Sequence, residues 1–257
     1  MHVRRYGDGG NTVILIHGGP GAPGSMAPLG RELADEYRCL EPFQRRAGDV
    51  LGDLHELVLG CDDRPALVGS SWGAMLALAY AAEHPTRAGH LVLIGCGTFD
   101  QESRAELHRN LDRRTPPDLR RRLERLPQEE PDPDARLRLM GELLQPIYSV
   151  DLTTAENDLA ECDARGHEES WTDIVRLSDD GTYPAAFARI TTPVLMLHGD
   201  QDPHPGRSIR AGLAPHIPQL EFIEYAECGH YPWLERSTRE RFYRDVRRQL
   251  AEPASNS

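Results

Sequence analysis

Lysine is absent from the sequence: all 29 basic side chains among its 257 residues are arginines. An enzyme that forms a Schiff base with a carbonyl substrate or with pyridoxal phosphate needs a lysine amine. The phosphate loop of nucleotide-binding proteins also carries a lysine. The composition therefore excludes these chemistries, whatever the fold.

Cysteine and long apolar runs are also scarce. The five cysteines are scattered without a C-x-x-C pair, which is typical of reduced thiols rather than of a disulfide framework. No apolar stretch approaches the roughly 18 residues of a membrane span, and the first ten residues show no secretory signal. A net charge of −12 argues against nucleic acid or an anionic membrane as partner. We therefore expect a cytoplasmic protein. The sequence does not predict its oligomeric state.

Short runs rich in valine, isoleucine and leucine recur along the chain and predict strands that are buried on both faces of a parallel sheet. They are TVILIHG, RPALVGS, HLVLIGC, TPVLMLHGD and LEFIEY. Helical patterns separate them, and the helix after residue 71 is apolar nearly all round and should end before Pro85. This alternation predicts an α/β protein with a mostly parallel sheet flanked by helices.

The stretch 98–185 differs from the rest, because arginine, glutamate and proline accumulate there. Its leucines keep a helical spacing, which favours short amphipathic helices joined by proline-rich turns over a disordered linker. The α/β pattern resumes afterwards. We therefore predict a core of residues 1–97 and 186–257, interrupted by a helical cap insertion over 98–185.

A G-x-S-x-G motif lies between the strand RPALVGS and the helix after it. Only Ser71 has glycines two residues away on both sides, at Gly69 and Gly73, whereas Ser70 does not. A serine on such a sharp turn adopts strained backbone angles and projects its hydroxyl at the carboxyl edge of the sheet. The same turn directs the amide of Trp72 toward an oxyanion. Ser71 is the predicted nucleophile.

A nucleophilic serine needs a base, and that base needs a carboxylate to hold its tautomer. In this architecture the chain order is serine, acid, histidine. His230 follows the last predicted strand, where the base belongs. Of the two acids after the preceding strand, we favour Asp202, because it lies further past the strand end and can reach the histidine. Asp200 remains the alternative.

His198, Asp200, Asp202 and His204 alternate along this loop and also form a pattern seen in metal sites. Alternate residues of an extended segment share a face, so four ligands could converge. A glycine and a proline within the pattern interrupt regular extension, however, and His198 ends a buried strand, where it can bond locally. We therefore predict no metal and no cofactor.

The segment HGGPG, from His17 to Gly21, follows the first apolar run. Its glycines let the backbone turn amides toward a substrate, and the Gly19 amide is the natural partner of the Trp72 amide in an oxyanion hole. A phosphate loop is the other use of such glycines, but the spacings of both phosphate-binding motifs are missing.

With HGGPG, GSSWG and CGH in one order, the chain resembles the α/β-hydrolase superfamily and, within it, the proline iminopeptidase-like branch. The resemblance extends over about residues 13–97 and 190–250, with the insertion as a helical cap. It implies a site made of the residues already named: Ser71, Asp202 and His230 as triad, Gly19 and Trp72 as oxyanion donors. The sequence departs from aminopeptidases of this type by carrying EPFQRRAGD where they usually have D-Q-R-G, and by a short N-terminus.

Such aminopeptidases hold cap glutamates near a tryptophan, which bind the free amino terminus of a peptide. The candidates here lie around Trp171 and are Glu156, Glu161, Glu168 and Glu169. The alternative is that they are solvated helix faces of an acidic protein. Trp72 and Trp233 are further candidates for the pocket wall.

These residues predict a serine hydrolase that cleaves a small ester, lactone or amide, with a small molecule or short peptide as substrate. A proline iminopeptidase-like aminopeptidase is the alternative. A further one is a relative of the same fold that hydrolyses nothing, either a lyase or a ligand-binding receptor. The intact set of serine, acid and histidine argues against the receptor.

Overall fold

The computed structural model describes residues 1–19, 23–43, 50–153 and 162–252. In these ranges, seven strands form one sheet. The strands are β1 (His2–Tyr6), β2 (Thr12–Ile16), β3 (Arg38–Phe43), β4 (Ala66–Ser70), β5 (Leu91–Ile94), β6 (Val194–Gly199) and β7 (Leu220–Tyr225).

The strands lie in the order β1-β3-β2-β4-β5-β6-β7. β1 runs antiparallel to β3, and every other neighbouring pair is parallel. The predicted mostly parallel sheet is confirmed, and all five apolar runs form strands. β1 is an unpredicted edge strand, because its residues HVRRY include two arginines and are only partly buried.

Nine α-helices and one 3₁₀ helix, Ala185–Arg189, lie in the described ranges.

 The first half of the fold contains α1 (Ala27–Leu33), α2 (Val50–Leu59) and α3 (Trp72–Glu83). The six other helices are α4 (Gln101–Arg114), α5 (Pro117–Glu129), α6 (Pro133–Tyr148), α7 (Ala164–Asp179), α8 (Gly206–Leu213) and α9 (Arg239–Ala251). None of the helices in these ranges is long and apolar enough to cross a membrane.

Alternate residues of the same strands build the two faces of the sheet. In β2, Ile14 and Ile16 join the core on the face covered by α2, α3 and α8. Val13 and Leu15 join the core on the face covered by α1 and α9. Because both faces are covered, the central strands are apolar without alternation.

Helix α3 is buried at eleven of its twelve residues, Glu83 being the exception. It ends before Pro85, as predicted. The burial fits its alanine-rich sequence, since small side chains let a helix pack closely on a sheet. Its N-terminus lies directly after β4, so the end of that strand points into the start of the helix.

Helices α4 to α7 all lie between β5 and β6, and the predicted amphipathic helices are therefore present. The two ends of this stretch meet in the core. The ring of Phe99, before α4, lies 6.3 Å from the ring of Tyr183 and 5.0 Å from that of Phe187, both after α7. The insertion thus leaves and re-enters the sheet at one place. Its function as a cap stays a prediction.

Candidate active site

Ser71 occupies the sharp turn between β4 and α3, with φ 54° and ψ −118°. Such a positive φ is costly for a residue with a side chain. The flanking glycines explain how the chain tolerates this turn: a Cβ on Gly69 would lie 2.2 Å from the carbonyl oxygen of Gly73. A Cβ on Gly73 would lie 2.2 Å from the carbonyl oxygen of Ile16 in β2. Ser70 instead ends β4 and is buried.

Ser71 and His230 both lie against the end of strand β5. The Ser71 amide donates a hydrogen bond of 2.7 Å to the carbonyl of Ile94. The next residue, Gly95, has φ +54°, and a Cβ there would lie only 2.7 Å from Nδ1 of His230. The imidazole therefore lies directly against the β5 end, next to the serine turn.

Asp202 and His230 form a short, buried hydrogen bond. Nδ1 of His230 lies 2.6 Å from Oδ2 of Asp202, whose side chain is fully shielded from solvent. Asp200 is exposed and accepts a hydrogen bond of 3.3 Å from the amide of Cys228. Of the two predicted acids, the structure thus brings Asp202 to the histidine, and Asp200 supports the backbone of the next loop.

Two further imidazoles face the same carboxylate. Nδ1 of His204 lies 3.1 Å from Oδ1 of Asp202, and Nε2 of His198 lies 3.2 Å from Oδ2. Burial alone would raise the pKa of Asp202, but His230, His198 and His204 together hold that pKa well below its usual value. Asp202 is therefore an anion surrounded by imidazoles. Burial lowers the pKa of His198, although the charge of Asp202 opposes this shift.

The structure does not bring together all four residues of the alternating histidine and aspartate pattern. Asp202, His204 and His230 each offer a ligand atom within 4.8 Å of the others, whereas Asp200 is turned away to Cys228. Among the residues that the structure describes, these three could hold a metal ion by proximity. In the structure, however, both histidines use Nδ1 for hydrogen bonds to the carboxylate. Hydrogen bonding accounts for this cluster without an ion.

The hydrogen bonds among the described residues join His230 to Asp202 but do not join Ser71 to His230. In unliganded enzymes such a bond is often long and tightens when substrate binds. Ser71 is half-buried, so part of this residue is accessible to solvent. The arrangement places Ser71 and the hydrogen-bonded pair of His230 and Asp202 at neighbouring strand ends.

The glycine-rich segment after β2 lies beside the serine. A Cβ on Gly18 would lie 3.1 Å from the Cβ of Ser71, and the exposed Gly19 follows with φ +34°. Trp72 is the first residue of α3, so its amide has no partner within the helix. Of the two predicted oxyanion donors, Trp72 therefore follows Ser71 in the chain, and Gly19 follows the glycine that lies beside Ser71. Pro20 and Gly21 lie outside the described residues.

His17 packs against the glycine-rich segment and Trp72. It is fully buried, its ring stacks on Trp72 at 6.2 Å, and its Nδ1 lies 3.1 Å from the Gly18 carbonyl. Burial lowers the pKa of His17 to about 4, although the hydrogen bond to Gly18 opposes the shift. His17 is therefore neutral at neutral pH and acts as a packing residue under the loop.

The sequence model of the alpha/beta hydrolase family matches residues 13–244. The chain belongs to this family. As an alpha/beta hydrolase it has curated relatives over most of its length: the 2-hydroxy-6-oxononadienedioate/2-hydroxy-6-oxononatrienedioate hydrolase of Cupriavidus pinatubonensis is 28% identical over 91% of this chain and 86% of that protein. The proline iminopeptidase of Xylella fastidiosa is 35% identical over 34% of this chain and 32% of that protein.

Among solved structures, a thermophilic esterase from Thermogutta terrifontis shares the fold with a TM-score of 0.65. It is 21% identical, and the match covers 99% of this chain and 94% of that one. The predicted resemblance to the alpha/beta hydrolases is confirmed, and the protein is an enzyme of that family.

The predicted pocket residues of this alpha/beta hydrolase lie in different environments. Trp171 on α7 is half-buried against the core. On the same helix Glu168 is exposed, and Glu169 pairs with Arg165 at 2.8 Å, which is the environment of a solvated helix face. Glu156 and Glu161 lie outside the described residues.

Trp233 is buried among aromatic residues of the core. It is only 2% exposed, and its ring lies 6.1 Å from Phe242 and 5.7 Å from Tyr231. Tyr231 in turn lies 5.1 Å from the ring of His230. The tryptophan therefore supports Tyr231, and it is Tyr231 that contacts the histidine.

Tyr148, at the end of α6, is a site residue that the sequence did not reveal. Its ring lies 5.3 Å from that of His230, and its carbonyl accepts a hydrogen bond of 2.7 Å from the His230 amide. Burial raises the pKa of the Tyr148 hydroxyl, and the charge of Asp202 adds to this shift. No motif marks Tyr148, because it reaches the histidine from the insertion across a separation of 82 residues.

Proposed function

We propose that the enzyme hydrolyses a small ester, lactone or amide through an acyl-enzyme on Ser71, with His230 as general base and Asp202 as the orienting acid. The observation that carries this proposal is the 2.6 Å hydrogen bond between Nδ1 of His230 and the buried Asp202 carboxylate. A carboxylate only accepts hydrogen bonds, so Nδ1 carries the proton. Nε2 of His230 is then left as the base.

In the first half of the reaction, the Ser71 hydroxyl attacks the substrate carbonyl while Nε2 of His230 takes its proton. The amides of Gly19 and Trp72 stabilise the resulting oxyanion. Collapse breaks the bond to the leaving group, which takes the proton from His230. In the second half, His230 removes a proton from water, the hydroxide attacks the acyl carbon, and the acid product leaves as Ser71 regains its proton.

Helices α4 to α7 would form the cap that sets substrate size, between core segments 1–97 and 186–257. The contact of Tyr148 with His230 supports this role, since it places the end of an insertion helix against the proposed base. Trp171, Trp72 and Trp233 remain the candidate pocket residues of this proposal.

An aminopeptidase of the proline iminopeptidase type is the second candidate. It is favoured by the match of a third of the chain to such an enzyme, together with the HGGPG and GSSWG motifs. The exposure of Glu168 and the pairing of Glu169 with Arg165 favour ester over peptide substrates, because neither carboxylate lies in a desolvated pocket. A lyase that uses the same residues would be recognised by its products.

The test compares kcat/KM for a short-chain nitrophenyl ester, a prolyl anilide and 2-hydroxy-6-oxononadienedioate, with product analysis. Ser71→Ala should abolish turnover of the ester and its labelling by a fluorophosphonate, while the neighbouring Ser70→Ala should retain both. Preference for the anilide would establish the aminopeptidase instead. Full activity of Ser71→Ala on every substrate would refute the serine mechanism.

A further inference from the structure

The second oxygen of the Asp202 carboxylate is occupied by His204. The backbone amide of His204 donates to Oδ1 at 2.9 Å, and its Nδ1 lies 3.1 Å from the same oxygen. His204 is only 7% exposed, so water does not compete freely for these bonds. The carboxylate is thus held at Oδ1 by His204 and at Oδ2 by His230, and Nε2 of His198 also lies 3.2 Å from Oδ2.

The protons of both rings follow from this geometry. Since a carboxylate can only accept, Nδ1 of His204 carries a proton, as Nδ1 of His230 does. The two rings are nearly parallel, with 22° between their planes and 4.8 Å between their centres. His204 therefore duplicates the bonding of His230: each imidazole donates from Nδ1 to its own oxygen of one carboxylate.

His198 contacts the backbone of His204. Its Nε2 lies 3.0 Å from the carbonyl oxygen of His204, which can only accept, so this nitrogen carries the proton. This bond holds the His204 backbone, whose amide contacts Asp202. Among the described residues, the ring of Tyr148 also lies next to His204, with 5.8 Å between the two ring centres.

We propose that His204 is a positioning residue: its Nδ1–H fixes the rotation of the Asp202 carboxylate so that Oδ2 faces His230. Without the Nδ1–H of His204, the backbone amide would be the one donor to Oδ1 described above, and the carboxylate could turn more freely about its last side-chain bond. A second, side-chain donor on the same oxygen removes that freedom. The inference rests on the proposed roles of Asp202 and His230, and it adds a residue that acts through them.

Two substitutions separate the hydrogen bond from the packing. His204→Asn keeps an N–H donor, because Nδ2 of asparagine lies at the position of Nδ1 relative to Cβ, but it loses the stacked ring. His204→Phe keeps a ring on His230 but loses the donor. If His204 acts through its donor, kcat for the nitrophenyl ester should fall roughly tenfold in His204→Phe and less than threefold in His204→Asn, with KM unchanged in both. The opposite order would show that packing alone matters and would overturn the inference.

The same substitution in an Asp202→Asn background tests whether His204 acts through Asp202. The loss caused by His204→Phe should shrink to less than twofold there, because the carboxylate that it orients is gone. An equal loss in both backgrounds would refute the inference. If His204→Phe does not fold, as judged by circular dichroism, His204→Leu replaces it as the variant without a donor.

The two proposals fail in different ways. If Asp202→Asn retains wild-type activity, the proposed catalytic set is wrong. If Asp202→Asn is impaired but His204→Phe and His204→Leu, both folded, are as active as wild type, only the role of His204 is refuted.

Discussion

Gly95 is the residue whose substitution tests the site most directly. It follows β5 with φ +54°, a backbone conformation that costs a residue with a side chain about 1–2 kcal/mol. A Cβ there would lie 2.7 Å from Nδ1 and 2.8 Å from Cε1 of His230. Since carbon packs at about 3.5–4.0 Å, Gly95→Ala would push the ring back by roughly 1 Å.

A displacement of this size breaks the hydrogen bond between His230 and Asp202, which is 2.6 Å long in the wild type. Misplacing a reacting group by 1 Å can cost on the order of 10²-fold in rate, and we expect that loss in kcat for Gly95→Ala. The free energy of unfolding should fall by about 2–5 kcal/mol, the backbone cost plus that of overpacking, and a domain of ordinary stability stays folded at 25 °C. The loss is therefore catalytic rather than a result of unfolding.

The assay measures kcat and KM for the nitrophenyl ester beside urea unfolding of the same preparations. Gly141→Ala is the matched control, because Gly141 lies within α6 and a Cβ there would meet nothing within 4 Å. It should keep full activity and gain up to about 1 kcal/mol of stability. A folded Gly95→Ala enzyme with wild-type kcat would refute the placement of His230 against β5 as the catalytic arrangement.

Three further predictions follow from the same geometry. Asp202→Asn should lower kcat for the ester by about 10³–10⁴-fold, whereas Asp200→Asn should cost less than tenfold, as steady-state kinetics would measure. Gly69→Ala should yield insoluble or unfolded protein by circular dichroism, because its Cβ would lie 2.2 Å from the Gly73 carbonyl oxygen. His17 should destabilise the fold in acid: the unfolded chain binds its proton near pH 6.5 but the folded protein only near pH 4, so acidification favours unfolding. Between pH 7.5 and 5 this residue should cost about 2 kcal/mol of unfolding free energy, and His17→Gln should remove that part of the pH dependence in urea titrations.

Each has an outcome that would contradict it. Equal losses in the two aspartate variants would return Asp200 to the candidates for the acid. A folded and active Gly69→Ala enzyme would show that the turn at Ser71 is looser than described. A pH dependence that is the same in wild type and His17→Gln would mean that His17 can be protonated in the folded protein without cost.

Much of the fold could be predicted because its signals are local. Strands buried on both faces, such as β4, are continuous apolar runs, and the turn that holds Ser71 requires glycines two residues away on either side. These patterns depend on residues within one strand or one turn. The edge strand β1 escaped prediction because a strand that is only partly buried needs no apolar run.

The sequence by itself thus determined the α/β architecture, the turn that presents Ser71, and the absence of any lysine chemistry. The tertiary structure decided which aspartate contacts His230. Both aspartates follow β6, and the path of the loop directs Asp202 to His230 and Asp200 to the Cys228 amide. It also decided that Tyr148 reaches the histidine from the insertion, that His204 shares the carboxylate, and that Trp233 is buried in the core. The physical reason is that these contacts join loops distant in sequence, whose directions are set by the packing of the sheet and helices rather than by any residue spacing.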